Sequence, residues 1–292
     1  MRKNLLLLVA IVMATSASAQ FYVSGSGGYS VGSAGMKLGE TTTTEVEINS
    51  YGSYGEGLNA QFKGGYFFNK TFGLELGLGY LYGADQTIAE VNTPYQEVDA
   101  IARARAFGFT TSVVYNFTDN LYGRFGALIK VGGKTEAVVY NKNYIADAAS
   151  GTTISQAFGL PDGAFTETNY TEDYHGQLPL GFAGAFGFKH NIGSNLNLFL
   201  EAEYMGVSVK RKDSEIQEFN TDVILADGTV AVAGLYSLDN LPPGYVIKSN
   251  YEDERAHTEA DPSVKLSQKV PYSSFGVNFG ITYTFGKKVA TK

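Results

Sequence analysis

Cysteine and tryptophan are absent from this 292-residue chain. Without cysteine, neither a disulfide framework nor a thiolate metal site is possible. Charge is scarce, with 17% Asp, Glu, Lys and Arg against roughly 25% in ordinary soluble domains. No apolar run reaches the roughly 20 residues that a membrane-crossing helix needs, so a helical membrane protein is excluded. The run Leu5–Ala14 follows Arg2 and Lys3 and leads to Ala17-x-Ala19. That layout is a removable secretion signal covering residues 1–19. Gln20 rather than cysteine follows it, so no lipid attachment is indicated there. What is plentiful is glycine, at 35 residues, with 20 Tyr and 19 Phe. An exported, β-rich protein fits these numbers.

Alternation of apolar with small or polar residues is the dominant pattern, and it means β-strand. Over 275–285, Phe275, Val277, Phe279, Ile281, Tyr283 and Phe285 share one face, with Gly276, Asn278, Gly280, Thr282 and Thr284 on the other. Leu74, Leu76 and Leu78 alternate with Gly73, Glu75, Gly77 and Gly79, and Phe182, Phe186 and Phe188 with Gly181, Ala183 and Ala185. Further runs near 21–36, 58–68, 102–117, 121–135 and 196–212 bring the expectation to eight strands.

The connections alternate in length. Asn69-Lys70-Thr71, Thr118-Asp119-Asn120 and Gly193-Ser194-Asn195 are tight and made of turn formers, whereas 37–57, 84–101, 136–173 and 213–268 are long. Short turns at one end and long loops at the other are the layout of an all-β, eight-stranded antiparallel transmembrane barrel with periplasmic turns and extracellular loops. Each strand exceeds the roughly 9–11 residues needed to cross the hydrocarbon, so the strands should continue beyond it. A soluble up-and-down barrel also alternates, but it must fill its interior with bulky side chains. Here the second face is Gly, Ala, Ser and Thr, which suits a polar lumen. Within the last long segment, Val223–Val232 reads as a hairpin turning at Asp227-Gly228, with arms too short to span. No linker or repeat interrupts 20–292, which is read as a single domain.

The last strand carries Asn278-x-Gly280-x-x-Tyr283-x-Phe285. This resembles the C-terminal signal of outer-membrane barrels, which the barrel-assembly machinery reads. In that family the last aromatic often ends the chain, whereas here Gly286–Lys292 follow. Over its length the chain resembles the small eight-stranded barrels of the OmpA-transmembrane-domain and OmpW type. The resemblance implies residence in the outer membrane of a Gram-negative bacterium. It does not imply one activity, since such families include structural anchors, adhesion-related proteins and narrow channels.

Of the 29 acidic residues, only Glu75, Asp119, Glu201 and Glu203 fall outside the four long segments. The molecule is therefore expected to carry an anionic crown on a basic body. The crown reads as a solvated, repulsive loop set or as a weak site for divalent cations, though it lacks the ligand spacing of a dedicated calcium loop. Arg103, Arg105, Lys210, Lys212 and Lys269 fall on the lipid-facing parity, about 32–42 Å above the turn end at roughly 2.5 Å of vertical rise per tilted residue. They are expected to contact anionic headgroups such as those of lipopolysaccharide, with generic snorkelling as the competing reading. The inward parity holds Lys63, Glu75, Arg124, Lys130, Lys189, Glu201 and Glu203. Lys63 with Glu75 and Lys189 with Glu201 are expected to pair across neighbouring strands, the whole set forming a salt-bridged plug. A narrow pore whose charges select ions is the alternative.

A catalytic constellation is not apparent. His190 lies on the lipid-facing parity and His257 in an acidic segment, and His175 stands beside Asp173 without a nucleophile at a specific spacing. Neither a phosphate-binding loop nor a basic-aromatic nucleic-acid surface is visible. The expectation is a monomeric, cofactor-free, non-enzymatic barrel with a structural or surface-recognition role, or else a narrow porin-like channel.

Overall fold

The computed structural model describes residues 20–285. The expected secretion signal and the tail Gly286–Lys292 lie outside the described residues. Eight antiparallel strands form the wall: β1 (Gln20–Gly32), β2 (Gly57–Phe67), β3 (Phe72–Gly83), β4 (Gln96–Asn116), β5 (Leu121–Asn143), β6 (Leu180–Asn191), β7 (Leu196–Gly206) and β8 (Ser274–Phe285). Each pairs with the next, and β8 returns to β1 from Phe21 opposite Phe285 to Gly32 opposite Ser274, which closes the cylinder. No sheet edge is left in the wall, as a spanning structure requires.

The two faces of each strand separate as the alternation predicts. Leu76, Phe182, Phe275 and Phe279 are 55%, 45%, 48% and 58% exposed on the outside, whereas Lys63 and Glu201 are 3% and 1% exposed within. The outward apolar positions of β8 run from Phe275 to Phe285, about 25 Å at a tilted rise of roughly 2.5 Å per residue, which matches the apolar band of membrane barrels. Aromatic rings crowd its turn end, where Phe72 meets Tyr115 and Phe21 meets Phe285. This is the outer surface that hydrocarbon demands of a barrel.

The three tight turns join β2 to β3, β4 to β5 and β6 to β7, at the same end as Gln20 and Phe285. Side chains stabilise them locally. The Asn69 carboxamide oxygen accepts from the amides of Thr71 and Phe72, both at 2.8 Å, and the Thr118 hydroxyl accepts from Leu121 at 2.9 Å.

At the opposite end the long segments are not irregular loops. β4 and β5 run 21 and 23 residues and stay paired as far as Gln96 opposite Asn143. The strands Phe165–Gly176 and Ser208–Ile224 extend this sheet, and Met36–Thr43, Glu47–Gly52 and Gln86–Asn92 add to its other side. The segments 84–101 and 136–173 are expected from the sequence as long connections, but the wall strands continue into both, to Gln96 and Asn143. Ala100, Ala102, Ala137 and Val139 are buried, and Ile101 and Val138 between them are partly exposed. A bulge in β5 enables the extension: Phe107 pairs with Gly132 and Gly108 with Lys130, and Gly133 takes φ +90°. The extra residue reverses parity, so even-numbered residues point inward below it and odd-numbered ones above. The seventh strand ends at Gly206 rather than near 212, and Ser208–Ile224 pairs elsewhere. The hairpin is present and sits on that long strand, with Val223 opposite Val232.

Candidate functional site: a doubly closed lumen

Room for a polar interior comes from glycine. A Cβ on Gly65 would lie 2.2 Å from the Tyr22 ring and one on Gly187 would lie 2.3 Å from the Tyr122 ring, so these rings lie flat on bare backbone of the neighbouring strand. Their hydroxyls then reach across that strand to the acid paired with the same glycine. Tyr22 donates to Glu75 at 2.8 Å and Tyr122 to Glu201 at 3.0 Å.

Arg124 occupies the centre. Its Nη2 lies 2.6 Å from Glu201 Oε1 and 2.6 Å from Glu203 Oε1, while its Nε donates to Glu201 Oε2 at 3.1 Å. Lys63 reaches Glu201 Oε1 at 2.9 Å, and Glu75 Oε1 stands 3.8 Å from Arg124 Nε. Gln61 and Asn278 both donate to Glu203 Oε2, at 2.6 and 2.7 Å. Three carboxylates thus meet two cations, and neutral hydroxyl and amide donors support the excess negative charge. Buried charge is tolerated only when it is paired and hydrogen-bonded; each ion here has at least one hydrogen bond, and Glu75 Oε1, which accepts none, faces Arg124 at 3.8 Å.

The cross-strand pairs expected from the sequence are not the pairs formed. Lys63 stands opposite Gly77 and Glu75 opposite Gly65, and Lys189 opposite Phe199 with Glu201 opposite Gly187. Both expectations miss by two residues: the turns centred on Lys70 and Ser194 put Gly65 opposite Glu75 and Gly187 opposite Glu201, so each lysine stands two residues out of step with its expected acid. The bonds instead run across the lumen. Lys189 donates to Asn116 at 2.8 Å at the turn end, near the Tyr122 ring. Lys130 stands above the network, donating to the Gly133 carbonyl at 3.2 Å, with the Tyr272 ring beneath its ammonium.

A second closure lies above the first, and sequence reading missed it. Tyr54 and Tyr272 fold in over the mouth with ring centroids 5.9 Å apart, packed on Ala102, Ala104, Ala106, Ala137, Val209 and Val270. Backbone bonds fix them: Tyr54 donates to the Pro271 carbonyl at 2.9 Å and Tyr272 to that of Val207 at 3.0 Å. The hydroxyls of Thr135 and Tyr272 are 2.6 Å apart. The available signal was a lone aromatic beside a chain breaker, Tyr54-Gly55 and Pro271-Tyr272, just ahead of β2 and β8. Between charged floor and aromatic lid is a cavity of about 80 Å³, bordered among others by Asn59, Gly79, Ala106, Leu128, Glu203 and Tyr272.

The five basic residues on the lipid-facing parity divide into two groups. Arg103 binds Glu136 at 2.7 Å and Asp85 at 3.6 Å, and Lys134 joins Glu136 to Asp173, so this side is internally neutralised. Arg105 lies 3.7 Å over the Tyr82 ring and donates to the carbonyls of Gly83 and Ala104. Lys210, Lys212 and Lys269 form the other group, on the far side of Phe165–Gly176.

In the C-terminal motif, Asn278 faces the lumen, fully buried, and supports Glu203. Its amide lies across Gly28, where a Cβ would come within 2.1 Å of Asn278 Oδ1. Gly280 makes room for the Phe199 ring, and Tyr283 and Phe285 join the outer aromatic belt. His175 pairs with Asp213 at 2.8 Å rather than with Asp173, which Lys134 holds. His190 and His257 are exposed. Crown acids serve their own turns. The Thr229 amide holds the Asp227 carboxyl below its ordinary pKa, and the Ser263 hydroxyl does the same for Asp261. Among the described residues no three His, Asp or Glu are gathered to hold a metal ion.

The chain matches no protein-family model and no curated protein sequence at a significant level. Solved structures similar to it include the outer membrane protein OprG from Pseudomonas aeruginosa, at 10% identity over 92% of this chain and 96% of that one, with a TM-score of 0.32. The outer membrane protein AlkL, solved in lipid bilayers, aligns at 14% identity over 94% and 93%, also with a TM-score of 0.32. At that level of superposition, the reading of this chain rests on its own residues.

Proposed function

We propose that this chain is a non-enzymatic barrel of the Gram-negative outer membrane, with its turns and termini in the periplasm and its crown outside the cell. Its lumen is closed by its own side chains, and its role is structural or one of surface recognition by the crown. The observation that carries the reading is Arg124 bound at 2.6 Å to both Glu201 and Glu203. An eight-stranded interior is about one side-chain layer wide, and that layer is filled by a hydrogen-bonded ion network with an aromatic lid above it. Planar-bilayer recording of the refolded protein tests this, and no steady single-channel steps are expected. Such steps would overturn the closed-lumen reading. Protease added to intact cells should cut within 252–262 and leave the wall protected, and protection of that stretch would reverse the proposed orientation.

The second reading is a narrow channel for small solutes. The cavity of about 80 Å³ between floor and lid favours it, since a solid plug has no need of an interior space. It requires the Tyr54–Tyr272 lid to move, and the same recordings decide between the two.

A further inference from the structure

Among the basic residues on the outer surface, Lys210, Lys212 and Lys269 are arranged differently from the rest. Lys210 lies directly opposite Lys269, where Ser208–Ile224 pairs with the short strand Lys269–Pro271. The adjoining pair, Val209 and Val270, is buried in the lid core, so both lysines point outward. Lys212, the extra residue of a bulge opposite His175 and Gly176, is exposed two positions along the same strand. Like charges directly opposite each other, with Cβ atoms about 4.5–5.5 Å apart, destabilise a sheet, and the protein neutralises them weakly. Lys210 has Asp253, whose carboxylate is 70% exposed. Lys212 has the neighbouring Asp213 at 3.4 Å, a carboxylate it shares with His175. Lys269 makes no ion pair with the described residues. On the opposite side of the crown, Arg103 and Lys134 are fully engaged by Glu136, Asp85 and Asp173.

The surface below the lysines is equally distinctive. The Gln177 amide donates to the Lys210 carbonyl at 2.9 Å. Immediately beyond Gln177, Leu178 and Leu180 are 74% and 77% exposed, more than any other large apolar side chain described. Two bare leucines thus point into the hydrocarbon directly beneath a pair of facing ammonium groups. Acyl chains against the leucines and a phosphate between the ammoniums would match both halves, because charge-assisted bonds from two lysines suit a phosphate's oxygens.

We infer that Lys210 and Lys269, with Lys212 beside them, hold the phosphate of an anionic lipid in the outer leaflet, whose chains lie on Leu178 and Leu180. The inference rests on the membrane reading of the wall and names a partner for one side of it. Arg103 and Arg105, which the same parity first suggested, are structural and not part of the site.

The test uses the refolded full chain in phosphatidylcholine nanodiscs with and without diphosphoryl lipid A, read by native mass spectrometry after release into mild detergent. Wild type should retain one lipid A. Lys210→Gln/Lys269→Gln should lose at least tenfold of that retention, and Lys210→Arg/Lys269→Arg should keep it. Lys70→Gln, in a turn at the other end, should match wild type. Dephosphorylated lipid A with the same acyl chains should not be retained, and millimolar inorganic phosphate should not displace the bound lipid. The heat-dependent gel migration of a folded barrel identifies any variant that failed to insert, which separates failure of the membrane reading from failure of the site. Equal retention by the Gln double variant, or of the dephosphorylated lipid, would overturn the inference. Displacement by free phosphate would show an anion site that is not specific to lipid.

Discussion

Arg124 and Glu201 stand two strands apart in the wall yet share two hydrogen bonds, Nη2 to Oε1 at 2.6 Å and Nε to Oε2 at 3.1 Å. A chord of this kind ties β5 to β7 through the lumen, independently of the ladders that join each to β6. Lys63 extends the tie to β2 on the other side. The interior is thereby braced as well as closed.

Removing the hub should cost more than removing a spoke. Arg124→Met leaves Glu201, Glu203 and Glu75 buried with one cation among them, and stripping one partner from a buried ion pair costs about 3–5 kcal/mol. Lys63→Met should cost less, because Glu201 keeps Arg124 and Tyr122. Urea unfolding in detergent micelles measures both. Equal losses would mean that the network is not centred on Arg124.

The glycines beneath the aromatic rings make a paired prediction. Gly65→Ala puts a methyl group 2.2 Å from the Tyr22 ring, which is buried and hydrogen-bonded to Glu75, so the ring has nowhere to go. Overpacking of this kind costs about 1–3 kcal/mol. At the adjacent Gly64 an added Cβ meets nothing within 4 Å, and Gly64→Ala should be nearly neutral in the same unfolding experiment.

Much of this was legible in the sequence because a β-wall has a period of two, and a period survives without knowledge of the partner strand. Leu76, Phe182 and Phe279 outside, and Lys63, Arg124 and Glu201 inside, follow from parity alone. Register follows only when both arms are counted from the turn. Turns centred on Lys70 and Ser194 put Gly65 opposite Glu75 and Gly187 opposite Glu201; the Lys63–Glu75 and Lys189–Glu201 pairings were two residues out of step, which keeps each residue on its face while changing its neighbour. The crown was misread for a different reason. Its strands bury Ala100, Ala102 and Ala137, residues too small to register as an apolar stripe, and the bulge at Val131 reverses the parity midway along β5. The lid was hidden most deeply, since Tyr54 and Tyr272 stand outside any periodic run and meet only because Pro271 and Ser53 bring the chain back over the mouth.

Acid should loosen the cluster of Arg103, Glu136, Lys134 and Asp173. Burial alone would raise the Glu136 carboxyl, but hydrogen bonds from Arg103 and Lys134 outweigh it and hold the group below its ordinary value of 4.5. A folded value below the unfolded one means that the contribution is complete above about pH 4.5 and is lost as pH falls through the depressed folded value. Wild type should therefore melt above Glu136→Gln at pH 6, with the gap in Tm closing as the pH is lowered toward 3. A gap that stayed constant down to pH 3 would show that Glu136 acts there through packing instead of charge.

The absence of cysteine makes the lid directly testable. Leu128 borders the cavity and is 6% exposed, so Leu128→Cys introduces a single thiol between floor and lid. With Tyr54 and Tyr272 in place, a membrane-impermeant maleimide should label it slowly. Adding Tyr272→Ala removes a buried ring and its contact with Thr135, at a cost of about 3–5 kcal/mol by comparison with other buried aromatics. Labelling should then accelerate by an order of magnitude or more. Conductance should stay absent in the same variant, because the Arg124 network beneath the cavity is untouched. If Tyr272→Ala conducted, the aromatic lid would be the barrier to ions and the charged floor would be permeable. If neither labelling nor conductance changed, the crown would seal the mouth by means other than this pair of rings.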